Sequence, residues 1–376
     1  MHVSDQPRPE RWLLACTAAL LLLLFCIQDA AATPVAQSGE RQQSDDDNTA
    51  CLSCHSSSDL KVQLPSGEDL PLYVDPDAYA ASVHGQQGQR CTDCHSNISG
   101  FPHPPLFAKD RRDFSLGLYT TCRQCHMEQY QDTLDSVHAY VLAGGDRNAP
   151  VCTDCHGYHD VTPPNQPRSR IPKTCAKCHS TIYNDYQESV HGAALIEENN
   201  RDVPTCVDCH GVHTMEDPRT ARFRLRSPQI CATCHTDPVR MDAYGISTDV
   251  LNTYVADFHG ATVTLFAKQS PDQATNKPVC YDCHGIHNIK KVTDPEATVV
   301  KENLLATCQQ CHPDADTNFP ASWVGHYPAS PDRHPIVYYV QLFYRILIPG
   351  VIGFFVVLIA LDATRRTLQR FGRKEA

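Results

Sequence analysis

Cys175-Ala176-Lys177-Cys178-His179, followed by Ser189-Val190-His191-Gly192 and then by Cys206-Val207-Asp208-Cys209-His210-Gly211-Val212-His213, is the stretch that decides how this chain is built. Cys-x-x-Cys-His is the attachment pattern of c-type haem. Two thiols three residues apart each add to one porphyrin vinyl group, and the adjacent histidine falls beneath the iron as its proximal ligand. Zinc ribbons also use paired Cys-x-x-Cys, but zinc has no need of histidine after every second cysteine. Outward from residue 175, the same pentapeptide occurs nine times. Its cysteines are Cys51 and Cys54, Cys91 and Cys94, Cys122 and Cys125, Cys152 and Cys155, Cys175 and Cys178, Cys206 and Cys209, Cys231 and Cys234, Cys280 and Cys283, and Cys308 and Cys311. The proximal histidines are His55, His95, His126, His156, His179, His210, His235, His284 and His312. These motifs take eighteen of the twenty cysteines; Cys16 and Cys26 lie in an N-terminal apolar stretch. The expected cofactor is nine covalently bound haem c groups.

Aligning the motifs exposes a repeat. Cys51 leads to Ser82-Val83-His84-Gly85 and then Cys91, and Cys122 leads to Ser136-Val137-His138 and then Cys152. Cys175 leads to His191 and Cys206, and Cys231 leads to Asp257-Phe258-His259-Gly260 and Cys280. Cys308 leads to Val324-Gly325-His326 as half a unit. Four two-haem units and one single-haem unit make nine. In three units the second motif extends to Cys-His-Gly-x-His, adding His159, His213 and His287. The first unit departs, its next histidine being His103 in Phe101-Pro102-His103.

The histidine count matches. Of twenty, His2 lies in the leader and nine are proximal. His84, His138, His191, His259 and His326 follow first motifs, and His103, His159, His213 and His287 follow second ones. That is nine distal candidates for nine irons, with His334 left over as an alternative to His326. A residue three positions after a proximal histidine stays on that side of its own porphyrin. His159, His213 and His287 are therefore expected to serve neighbouring haems; which neighbour, the sequence leaves open. Beyond Met1 the only methionines are Met127, Met215 and Met241, so bis-histidine ligation and low potentials are expected over His/Met ligation.

From Cys51 to His312 there are 262 residues, about 29 per haem, too few for an ordinary protein core. The expected fold is mostly α and irregular: short helices and loops wrapped around stacked haems, without a sizeable sheet, plus one C-terminal transmembrane helix. Twenty-seven prolines favour loops. Short helices are expected over 120–136, 174–189 and 304–310.

The ends set the expected topology. Residues 1–32 read as a signal peptide: Arg8 and Arg11, the apolar run Trp12 to Ile27, then Ala30-Ala31-Ala32. Residues 33–50, with three aspartates at 45–47, read as a linker. Residues 51–330 form the haem domain. A second apolar segment, 336–361, is long enough to cross a bilayer and carries Arg345 among Tyr338, Tyr339 and Tyr344. The tail 362–376 holds Arg365, Arg366, Arg370, Arg373 and Lys374, the basic flank of a cytoplasmic side. The haem domain is thus expected in the periplasm, on a single-pass anchor in the cytoplasmic membrane. Net charge is −11. Residues 1–32 carry two basic and three acidic side chains and the tail from Asp362 five and two, leaving the exported part near −13. Such acidity argues against nucleic acid as a partner.

Cys-x-x-Cys-His pairs with intervening Ser-x-His-Gly, together with Cys-His-Gly-x-His and Phe-Pro-His, resemble the multihaem c-type cytochromes over residues 51 to about 326. The resemblance implies electron transfer between the quinone pool and soluble periplasmic or outer-membrane cytochromes. It also implies a membrane partner, a b-type cytochrome or another quinol-oxidising subunit, because one helix cannot build a quinone pocket. The alternative is a multihaem reductase of a nitrogen or sulfur oxyanion, which keeps one iron open, sometimes marked by lysine in place of the proximal histidine. No Cys-x-x-Cys-Lys occurs in the chain, and no residue is assigned as catalytic. A role in haem storage does not call for so ordered a repeat.

Overall fold

A computed structural model describes residues 46–98, 100–321, 323 and 325–372. The expected signal peptide, most of the linker, and Arg373 and Lys374 lie outside them. The described chain is a succession of short helices joined by loops, with one antiparallel pair of three-residue strands, Lys61–Gln63 against Asp69–Pro71. Apolar burial is sparse. One cluster joins Leu64, Leu70 and Ala108 under that hairpin, and another joins Leu225, Val263 and Val279. Neither is a core on which a chain of this length could fold alone.

The helices obey local rules that recur unit by unit. Each second motif is a one-turn helix opening on a capping aspartate. Asp93, Asp154, Asp208 and Asp282 accept the backbone N–H of the residue preceding the first cysteine, at 2.8, 2.7, 2.6 and 2.6 Å. Three of these carboxylates are gripped by an arginine from earlier in the chain: Arg112 on Asp154 at 2.9 Å, Arg168 on Asp208 at 2.7 Å and Arg224 on Asp282 at 2.7 Å. Arg224 also donates to the Lys277 carbonyl at 2.9 Å. Each clamp therefore fixes the loop entering a second motif.

Each Ser-Val-His turn begins with its serine as N-cap. Ser82, Ser136 and Ser189 accept from Gly85, Ala139 and Gly192 at 3.0, 3.2 and 3.0 Å. The glycine has a steric reason. A Cβ at Gly85, Gly192 or Gly260 would overlap the carbonyl oxygen of Tyr79, Tyr186 or Tyr254 in the preceding helix. In the extended second motifs, Gly157, Gly211 and Gly285 adopt φ of 77°, 80° and 82°, which L side chains avoid.

Two expectations about helices are corrected. The helix expected over 120–136 is divided into a 3₁₀ turn, Tyr119–Gln124, and Met127–Leu134; that over 174–189 into Arg170–Cys175 and Ser180–Gln187. The cause is the proximal histidine. His126 and His179 leave the helical region (φ −108°, ψ 48° and φ −109°, ψ 49°) and become N-caps of the following helix. Near the start, helix Asp46–His55 includes aspartates assigned to a linker. The C-terminal apolar helix runs Pro335–Gly372, 38 residues with Pro349 inside it, well past residue 361. At 1.5 Å per residue it spans about 57 Å, longer than a bilayer's hydrocarbon core of about 30 Å. Its most apolar 18-residue window has mean hydropathy 2.5, and none of that window is buried against the rest of the described chain. The helix is compatible with a single membrane span.

Candidate functional site

The nine motif histidines each face one other histidine ring, and the nine partners are all different. His55 faces His103 at 6.0 Å between ring centroids, His126 faces His84 at 6.1 Å, and His95 faces His159 at 6.2 Å. His179 and His138 lie 6.3 Å apart; His156 and His213, and His235 and His191, 6.2 Å. His210 and His287 are 6.2 Å apart, His312 and His259 6.2 Å, and His284 and His326 6.1 Å. The partners are the nine distal candidates. His334 faces none of the nine.

The spacing can be tested against an iron centre. Two metal–imidazole bonds of about 2 Å put the ligating nitrogens about 4 Å apart, and each ring radius adds roughly 1 Å. The sum is the observed separation. Imidazoles stacked face to face would have centroids nearer the 3.5–4.0 Å or so of van der Waals packing. A continuous cavity of about 3580 Å³ threads eight of the nine pairs, lined by most of their cysteines and by apolar side chains from Ala50 to Tyr327. Protein interiors pack too densely to leave such a volume to side chains. The ninth pair, His259 and His312, lies outside it. The residues present fit haem.

Local contacts suit the imidazoles to metal. The His55 Nδ1 lies 2.6 Å from the Leu72 carbonyl, which the hairpin presents, and His103 Nδ1 lies 2.9 Å from that of Gly100. With Nδ1 so engaged, Nε2 is the nitrogen left free to ligate. Burial, aided by the facing or a neighbouring histidine, lowers the pKa of most of the rings. It brings His159, His191 and His284 down to about 4. Neutral imidazole is the form that ligates.

The pairing rule is an exchange between units. His84, His138, His191 and His259 each reach forward to the first motif of the next unit. His159, His213 and His287 each reach back to the second motif of the previous one. His326 was grouped in sequence with the forward set, but it faces His284 and so belongs with the backward set. Its own motif histidine already faces His259. His103 alone stays in its own unit, since no described unit precedes it. The same interlock appears in the backbone. Val83, Val137 and Val190 donate to the carbonyls of Val161, Met215 and Ile289, each in the following unit, at 2.8, 2.7 and 2.7 Å.

Cysteine contacts set the order of motifs in space. Within units the free thiols hydrogen-bond in pairs: Cys51 with Cys91, Cys122 with Cys152, Cys175 with Cys206 and Cys231 with Cys280. Between units, Cys94 neighbours Cys122, Cys155 neighbours Cys175, Cys209 neighbours Cys231 and Cys283 neighbours Cys308. The nine motifs therefore neighbour one another in chain order, first to ninth.

The model of the family described as cytochrome c3 matches residues 145–236. Over 230 residues the chain is 24% identical to the multiheme cytochrome MtrA of Shewanella baltica, covering 56% of this chain and 59% of that protein. Over 128 residues it is 23% identical to the cytochrome c-type protein NrfB of Escherichia coli, covering 31% of this chain and 64% of that one. This chain is a multihaem c-type cytochrome. Like others of that group, the cytochrome binds haem c covalently. The aligned parts span less than two thirds of either relative. Reasoning from sequence missed the capping aspartates and their arginine clamps. The signal was present: aspartate stands before the second cysteine in every second motif and in no first motif.

Proposed function

We propose that this cytochrome is a nonahaem electron conductor, anchored by Pro335–Gly372 in the cytoplasmic membrane with its haem domain in the periplasm. It relays electrons between a quinone-linked membrane partner and periplasmic or outer-membrane redox proteins. The observation that carries this reading is the set of nine facing histidine pairs, 6.0 to 6.3 Å apart. Each would place one haem between the motif histidine as proximal ligand and its partner as distal ligand. Both axial positions of every iron are then filled by protein, which suits outer-sphere electron transfer and leaves no iron for substrate. The chain-order adjacency of the motifs gives the path, with the ninth motif nearest the apolar helix in sequence. The acidic exported surface favours basic docking faces on partners. Carbon monoxide tests the reading: the reduced holoprotein is expected not to bind it. Stoichiometric binding at one haem would favour the oxyanion-reductase alternative, which requires an open iron.

A further inference from the structure

In three units the residue two before the forward-reaching histidine is serine, and its hydroxyl is spent on backbone. Ser82, Ser136 and Ser189 donate to the carbonyls of Tyr79, Thr133 and Tyr186 at 2.7, 2.7 and 2.6 Å, besides capping the turn. In the fourth unit the position is Asp257, which makes different contacts. Its Oδ1 accepts the His259 backbone N–H at 2.9 Å and lies 3.3 Å from the His259 Nδ1. Its Oδ2 accepts the Trp323 indole N–H at 3.2 Å. Trp323 in turn packs edge-on against His326, centroids 5.6 Å apart and planes at 80°. Among the described residues this is the one ion-pair contact between a carboxylate and a histidine ring. The rings of His55 and His103 instead set Nδ1 against neutral carbonyls.

We infer that Asp257 is a tuning residue which makes the haem of the ninth motif the lowest in potential and thereby biases electrons away from the anchored end of the array. The inference rests on the nonahaem reading, with His312 and His259 as the ligands of that haem. A carboxylate beside the Nδ1–H of a ligating histidine raises the basicity of the ligand. Its negative charge also favours the more positive, oxidised iron, and ligand identity, hydrogen bonding and local charge are the protein's means of setting haem potential. A neutral serine supplies neither effect. An electron at the ninth haem would therefore move downhill into the other eight, and Trp323 ties the same carboxylate to the side of His326, the ligand of the next haem along.

The test uses the full-length, detergent-solubilised holoprotein, titrated potentiometrically with EPR detection as wild type, Asp257→Ser and Asp257→Asn. Serine is the residue that the other units tolerate at this position, and asparagine keeps the shape while removing the charge. Peptide mass mapping of each sample reports whether Cys308 and Cys311 carry haem. The expected result is an upward shift of the lowest midpoint in both variants, larger than the shift of any other midpoint. An unmoved lowest midpoint, with haem present on the Cys308 peptide, overturns the inference alone. A wild-type Cys308 peptide without haem overturns the nonahaem reading and this inference with it.

Discussion

A histidine ring facing another at about 6 Å is held there by what its backbone and its second nitrogen do. His191 enters through the Ser189 cap, and Gly192 lets that turn lie against Tyr186 with no room for a methyl group. Gly192→Ala must displace the Tyr186 carbonyl or the turn, and overpacking of this kind costs about 1–3 kcal/mol. The expected outcome is a lower urea midpoint and weakened ligation opposite His235, read as a high-spin signal. Ala139 at the equivalent place in the second unit shows that the clash depends on how closely the turn approaches, not on the motif as such. The backward set gives a sharper prediction. His213→Ala removes the ring facing His156, so one haem in nine should become five-coordinate and bind carbon monoxide when reduced. A variant as unreactive as wild type would show that His213 is not the ligand. The proximal positions could be read from sequence because two thioethers and a histidine must occupy one pentapeptide. The distal partners could be enumerated but not paired, because which ring meets which depends on how successive units cross.

Helices in this chain are short because each motif ends one. The proximal histidine abandons helical backbone angles to turn its ring, and the next helix starts from it. Periodicity across residues 120–136 and 174–189 does not register that interruption, which is why continuous helices are expected there and broken ones found. Between these pieces the arginine clamps take over the work of a core. Arg224 meets both Asp282 oxygens, the Lys277 carbonyl and, from 5.5 Å, the ring of Tyr281. Charge-assisted bonds contribute about 1.5–3 kcal/mol when well shielded. For this partly exposed pair a net loss of about 1–2 kcal/mol is expected in Arg224→Ala, discounted for solvent screening. Denaturant unfolding of the holoprotein checks it, and Arg219→Ala, on an exposed pair with Asp217, should leave the midpoint in place. The apolar helix makes its own prediction. A chain ending at Arg333 should move from the membrane fraction to the soluble one with its haem spectrum intact; retention in the membrane would contradict the anchor.

As a whole, the molecule is an array in which no unit is complete by itself. Each inner unit gives one histidine forward and one back, so its own motifs depend on both neighbours, as in other quasi-one-dimensional repeat proteins. The exchange accounts for His326, which completes the second motif of the fourth unit, while His103, at a different offset, serves the first motif of its own unit. It also makes the path continuous, since units that exchange ligands are also the ones whose cysteines are neighbours. The central claim is that every motif holds a haem between the two rings that face each other. Intact mass spectrometry of the exported holoprotein tests it most directly. The account predicts the mature polypeptide plus nine haems, with no unmodified motif thiols; a mass short by even one haem in a fully matured preparation would contradict it.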